Sequence, residues 1–299
     1  MKVAVVGGAG FLGRAVCSAL RAQGDDAIVV DKANGIDIVD DAAIETLARA
    51  FDGASSVVHL AARVDPVTPQ ERDDARRLHV DGTKNVVAAA GRAGVSRLVL
   101  ASSATVYGAR ASNRVPLDES APVAPNADFP YAVDKAAQES IAQSSSSSSS
   151  SLAIGRPAII YGPGARNYLT EIIRRAPFLP ALDGRRPQLQ FVHVDDAGAA
   201  FAFLARSDVV GAFNVASADW LALEDVAAIA GKRIVSVPFR AIAPVLDRLA
   251  RVLPPSLRAP PSMLPYLMHP FVVSPAKLAA AGCAPRFSSA DALRSILAR

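Results

Sequence analysis

Gly7-Gly8-Ala9-Gly10-Phe11-Leu12-Gly13 follows directly on the apolar run Val3-Ala4-Val5-Val6, and this junction decides the fold. It satisfies both the G-x-x-G-x-x-G and the G-x-G-x-x-G spacing. Glycines are needed where a strand turns tightly into a helix, where backbone must approach a pyrophosphate, and where the helix packs close on the strand. The helix N-terminus then turns its free N–H groups toward the anion. Outward from this turn, β-branched runs at 27–30, 56–59 and 98–101 alternate with amphipathic segments. That alternation predicts an α/β fold, a doubly wound parallel sheet of the Rossmann type with helices on both faces.

The first helix is expected to start at Gly10-Phe11, a long one to cover roughly 74–93, and another to begin near Tyr131. A further strand is expected at 152–154. Gly and Pro then crowd the chain at Tyr161-Gly162-Pro163-Gly164 and regular alternation ends. Residues 1–163 and 191–216 are therefore assigned to the nucleotide-binding domain, and 164–190 and 217–299 to a small mixed substrate lobe. Prolines at 254, 255, 260, 261, 265 and 270 keep the helices of the last third short. Eight serines at 144–151 read either as a flexible surface loop or as placeholders for unidentified residues, and no function is attached to them.

A chain of 299 residues, 51% hydrophobic and 20% charged, carries ample material for a large core, which rules out disorder for most of it. The net charge is only +4 and the basic residues form no run, which argues against a nucleic-acid partner. No apolar stretch reaches the roughly 18 residues of a membrane span, and the start runs into a strand instead of a signal peptide. A soluble, cytoplasmic protein without a membrane partner is expected. Cys17 and Cys283 form no disulfide framework and no metal-ligand spacing, so no metal is expected.

Asp31 ends the second strand, 24 residues after Gly7. A carboxylate there accepts hydrogen bonds from adenosine ribose hydroxyls and repels a 2′-phosphate, so NAD is expected over NADP. Lys32 beside it keeps NADP as the lesser alternative; a packing turn with a solvated Asp is the bland one. Tyr131-Ala132-Val133-Asp134-Lys135 places a phenol and an ammonium on one helix face. A nearby cation stabilises the phenolate and lowers its pKa toward the working range of an acid–base group. The strand at 98–101 ends in Ser102 and Ser103, where a hydroxyl can donate to a ligand oxygen in the crevice or merely cap the strand.

These residues resemble the extended short-chain dehydrogenase/reductase family, also described as NAD-dependent epimerase/dehydratases. The similarity runs through Gly7 to Gly13, Asp31, Asp37-Ile38, Val58-His59-Leu60-Ala61-Ala62, Gly82-Thr83, residues 102–108, Tyr131 to Lys135, Arg156-Pro157, Tyr161 to Gly164 and residues 191–196. The resemblance implies that Tyr131 is the catalytic acid/base. It makes Lys135 the residue that binds the nicotinamide ribose and tunes that tyrosine, and Ser103 the hydroxyl that orients the substrate oxygen. It implies cofactor contacts at Gly7, Gly10, Phe11, Leu12, Gly13, Asp31, Asp37, Ile38, Leu60, Ala61 and Ala62, besides Tyr131 and Lys135. It also implies a homodimer through helices at roughly 74–93 and 131–143.

The departures narrow the expectation. Ala104-Thr105 stand where the family's sugar dehydratases carry Asp-Glu, so no acid–base pair exists for eliminating water. Ile159 and Leu189 stand where its epimerases carry Asn and Arg toward the nucleotide-sugar phosphates. The Arg156-to-Gly164 pattern is more similar to the 3β-hydroxysteroid dehydrogenase-like branch. The expected activity is hydride transfer between nicotinamide and a secondary alcohol or ketone of a mostly apolar small molecule. The alternatives are a nucleotide-sugar epimerase working through a transient ketone and a non-catalytic NAD-binding regulatory protein. His79, at a position usually Asn, is expected to be a buried structural residue. His193 is expected to pack while Asp195 and Asp196 cap the next helix. Arg174, Arg175, Arg185 and Arg186 are read as solvated surface, with Arg166, Arg174 or Arg175 as the counter-case for phosphate recognition. The apolar stretch 242–253 with Met263, Leu264, Tyr266, Leu267 and Met268 is read as core that also floors an apolar pocket.

Overall fold

The computed structural model describes residues 1–64, 68–145, 151–249 and 261–298. Its strands are β1 (Lys2–Val6), β2 (Asp26–Val30), β3 (Ser56–His59), β4 (Arg97–Ala101), β5 (Ser151–Pro157), β6 (Ile159–Tyr161), β7 (Phe178–Leu182), β8 (Phe191–His193), β9 (Gly211–Val215) and β10 (Arg233–Val237). The helices are α1 (Phe11–Ala22), α2 (Ala43–Ala50), α3 (Pro69–Arg76), α4 (Gly82–Arg92), α5 (Pro130–Ser145), α6 (Tyr168–Arg175), α7 (Val194–Arg206), α8 (Leu223–Ala230), α9 (Phe239–Leu249), α10 (Ala276–Ala280) and α11 (Ser289–Leu297).

Six strands form one parallel sheet in the order β2-β1-β3-β4-β5-β9. Both faces are covered, which is why the inner strands are apolar almost without alternation. On one face Val16, Cys17 and Leu20 of α1 pack with Phe201, Leu204 and Ala205 of α7. On the other lie Leu47 of α2, Phe51, and Val86 and Ala89 of α4. The α1–α7 approach is close: a Cβ on Gly198 would stand 2.8 Å from the Ala15 backbone. β1 has β2 on one side and β3 on the other, so the winding reverses between β1 and β3. The carboxyl ends at such a reversal open a crevice for ligand.

The expected elements appear with shifted ends. The long helix expected at roughly 74–93 starts at Pro69, because Thr68 and Glu71 form a capping box and Pro69 occupies the first turn. It continues through a π-turn at Arg77–Asp81 into α4. β5 outgrows its expected 152–154 because it is paired on both edges, by β4 and by β9. Ser144 and Ser145 close α5 and Ser151 opens β5; the rest of the loop reading of the serine tract lies outside the described residues.

Beyond β5, β6 pairs with β8 and β7 with β10 in two small parallel sheets. Tyr161, Ile173, Leu179, Phe191, Leu223, Val226, Leu293 and Ile296 build a separate core around them. Among the described residues no helix is long and apolar enough to cross a membrane.

Candidate functional site

A cavity of about 1350 Å³ is lined by carboxyl-end residues of the sheet and by the segments that follow β5. Every residue expected to bind or react lines it. Gly7, Gly10, Phe11, Leu12 and Gly13 come from the β1–α1 turn, Asp31 from the end of β2, and Asp37 and Ile38 from the loop that follows. Leu60, Ala61 and Ala62 follow β3, Ser103 follows β4, and Tyr131 and Lys135 project from α5.

The turn has no room for side chains. Gly7 has φ +82°, and a Cβ there would lie 2.8 Å from the Ala61 nitrogen. A Cβ on Gly13 would lie 2.2 Å from the Gly7 carbonyl oxygen. The α1 N-cap, Gly10, supplies no side-chain cap, and the first turn carries no acid. Its N–H groups are thus left for an anion. Asp31 accepts from the Ala9 N–H at 3.1 Å and the Ala33 N–H at 3.0 Å, which anchors the turn and leaves lone pairs for a ribose. These features fit a dinucleotide. Lys32 donates to Asp37 at 2.7 Å, and that bond holds the Asp37 carboxyl below its usual range.

Lys135 is buried, donates to the Ala101 carbonyl at 2.8 Å and stands 5.8 Å from the Tyr131 ring centroid. Burial pushes its ammonium down to about 7, against the opposing pull of Glu139 and Asp134. Ser103 Oγ accepts from the Thr105 N–H at 3.2 Å and from the Thr105 hydroxyl at 2.9 Å, so its own proton is left to donate into the cavity. Ser102 spends its proton on Glu139 at 2.5 Å. The two neighbouring serines thus differ in role.

His79 is fully buried. Its Nε2 accepts from the Arg63 N–H at 3.0 Å, which puts the proton on Nδ1, where it donates to Asp134 at 3.1 Å. Burial lowers its pKa and keeps the ring neutral, in line with the structural reading. His193 packs as expected, buried with its ring centroid 4.3 Å from that of Phe287, but the expected capping by the Asp pair is corrected: His193 is itself the α7 N-cap, its Nδ1 accepting from the Asp195 N–H at 3.3 Å. Asp196 instead accepts from the N–H groups of Arg286 and Phe287 at 2.9 and 2.8 Å, fastening the C-terminal segment. A ring nitrogen preceding the helix served as cap, and the carboxylate was drawn to two donors from another segment. Among the described residues no group of three potential metal ligands occurs.

Arg175 pairs with Glu171 and Arg186 with Glu224, all outside the cavity, while Arg166 lines it. Ile159 and Leu189 line it as well, with Met263, Tyr266 and Leu267. Glu139 and Phe129 were not singled out from the sequence. Glu139 lies four residues after Lys135 on the same helix face, a signal present in the spacing; Phe129 had none.

Residues 3–216 match the family described as NAD dependent epimerase/dehydratase family. A 3-diazoavenalumate denitrifying reductase of Streptomyces sp is 32% identical over 74% of this chain and 79% of its own length. A 2-alkyl-3-oxoalkanoate reductase of Stenotrophomonas maltophilia (strain K279a) is 30% identical over 59% of this chain, and the match spans 56% of that protein. The solved UDP-glucose 4-epimerase of Thermus thermophilus, in complex with NAD, is 25% identical with a TM-score of 0.73, covering 99% of this chain and 98% of that one. The glycine turn beside Asp31 and the Tyr131–Lys135 helix lie within the matched span, and the chain belongs to the NAD dependent epimerase/dehydratase family.

Proposed function

We propose that the protein is an NAD-dependent oxidoreductase that interconverts a secondary alcohol and a ketone on a mostly apolar small molecule. The observation that carries this reading is the convergence of Ser103, Tyr131 and Lys135 on the cavity that holds the dinucleotide cradle. NAD, when bound, supplies the hydride chemistry. Ser103 donates to the substrate oxygen, Tyr131 transfers the proton at that oxygen, and Lys135, anchored on Ala101, holds the ribose and the phenol's electrostatic setting. The complete set argues against a purely regulatory NAD-binding protein. Asp31 selects NAD over NADP, residues 164–190 and 217–299 act as the substrate lobe, and the protein works as a cytoplasmic homodimer.

The cavity wall favours an apolar substrate. Ile159 and Leu189 offer nothing to a phosphate, and Met263 and Leu267 add apolar surface. The two relatives named above carry reductase names, which supports the same choice. The second reading, a nucleotide-sugar epimerase, is favoured by the whole-chain likeness to the UDP-glucose 4-epimerase. Calorimetry with uridine diphosphate and thymidine diphosphate, NAD present, separates them: weak binding of both is expected, and tight binding of either promotes the epimerase. Sedimentation at micromolar protein checks the dimer, which a monomeric mass overturns.

A further inference from the structure

Building on the oxidoreductase reading, we infer that the substrate carries a carboxylate and that Arg166 receives it, with the side-chain amides of Asn167 and Gln188 as further donors. Charge is divided unevenly along the cavity. Its carboxylates, Asp31, Asp37, Asp40 and Asp74, all precede residue 75 in the chain. The wall contributed by residues 157–273 has no acid and one cation, Arg166, among the described residues.

The polar groups on that side divide into spent and unspent. Gln190 donates to the carbonyls of Ser217 and Val273 and accepts from the Val273 N–H, so its amide is committed to the fold. The Tyr266 hydroxyl is committed to the Thr105 carbonyl at 2.9 Å. By contrast, Arg166 and Gln188 have no partner among the described residues. Asn167 uses its Oδ1 to cap α6, accepting from Thr170, and leaves its Nδ2 unspent. Each of the three offers unspent N–H donors, and a guanidinium with two amide NH2 groups matches the acceptor oxygens of a carboxylate. One guanidinium balances one negative charge. A diphosphate would bring more charge than this wall meets, and unmet charge in a cleft is costly. The rest of the wall, including Ile159, Leu189, Met263, Leu267 and Phe271, suits an aliphatic or ring body.

The test uses 3-oxo-, 5-oxo- and 7-oxodecanoate, each paired with its methyl ester, so that charge changes while the ketone and chain do not. In each assay the carbonyl carbon gains a hydride from added NADH, which leaves as NAD⁺. The oxygen gains a proton through Tyr131, and the carboxylate keeps its bonds. For at least one acid, kcat/KM is expected to exceed that of its ester by about thirtyfold, as charge-assisted bonds allow. Arg166→Gln is expected to erase at least tenfold of that ratio and Arg166→Lys to restore part of it. Calorimetric titration of the NAD-bound protein with the corresponding hydroxy acids and esters makes the same comparison without turnover. An acid-over-ester preference in binding but no turnover overturns the oxidoreductase reading and keeps the anion site. Equal binding of acid and ester, or a ratio unchanged in Arg166→Gln, overturns the anion site whatever the turnover.

Discussion

Glu139 grips Arg156 at two points, accepting from Nε at 2.9 Å and from Nη2 at 2.6 Å, with both side chains buried. The pair ties α5, which carries Tyr131 and Lys135, to β5 of the central sheet. Each partner has further duties: Glu139 accepts from Ser102, and Arg156 donates to the Tyr107 hydroxyl at 2.9 Å. Removing one member strands a buried charge. Glu139→Leu is expected to cost about 3–5 kcal/mol in urea unfolding. The double variant Glu139→Leu/Arg156→Leu is expected to be more stable than that single variant, because no charge is then left unpaired. A double variant less stable than the single would show that the hydrogen-bond network, not the stranded charge, dominates.

Tyr131→Phe removes only the oxygen proposed to carry the proton. NAD binding by calorimetry is expected to survive while turnover falls about a hundredfold or more. Ser103→Ala is expected to lose less, since a hydrogen bond and not a proton carrier is removed. Near-normal turnover of Tyr131→Phe would end the assignment.

Asp31 pins the glycine turn through Ala9 and lines the cavity, where under the proposed function it meets the ribose. Asp31→Ala is expected to weaken NAD binding about tenfold or more and to narrow the gap to NADP, since attraction and repulsion disappear together. Tighter NADP than NAD binding by the unaltered protein would instead make Lys32 the selector.

A methyl group at Gly13 would stand 2.2 Å from the Gly7 carbonyl oxygen, so the turn must open to admit it. Gly13→Ala is expected to abolish measurable NAD binding while the far-ultraviolet spectrum stays that of a folded α/β protein. Retained NAD affinity would mean that the turn yields more easily than its contacts imply.

His59 is wholly buried. The Thr83 proton is spent on the His79 carbonyl, so His59 donates from Nε2 to Thr83 at 3.0 Å and its Nδ1 is bare. Burial, with Lys135 and His79 as neighbours, lowers its pKa to about 3. The unfolded chain therefore binds a proton below about pH 6.5 that the folded chain refuses until about pH 3. Stability is full above that window and falls as pH drops through it, by about 2 kcal/mol at pH 5 from this residue. His79, also shifted down, adds in the same direction. Urea unfolding at pH 7 and pH 5 checks this, and equal stability at the two would contradict it.

The sheet, the glycine turn and the Tyr131–Lys135 face were legible in the sequence because each depends on local chemistry. A strand buried on both faces must be apolar, a tight turn under a helix must be glycine, and a four-residue spacing on a helix keeps one face. Asp31 was legible for a related reason, since the end of β2 follows from the strand pattern. Other features depend on which segments meet in space. Ser103 and Ser102 are adjacent, chemically identical and both line the cavity, yet only Ser103 keeps its proton for it while that of Ser102 is drawn to Glu139, because only the packing of α5 on β4 decides where an acceptor stands. Asp196, expected to cap α7, instead accepts from two N–H donors 90 and 91 residues away, while His193 takes the cap. Arg166 was one of several candidate arginines in the sequence. The fold left it facing the cavity without a partner among the described residues, while Arg175 and Arg186 found carboxylates outside it. Hydrogen bonds and charges act over a few ångströms, and which groups come that close across distant segments is decided by the tertiary fold.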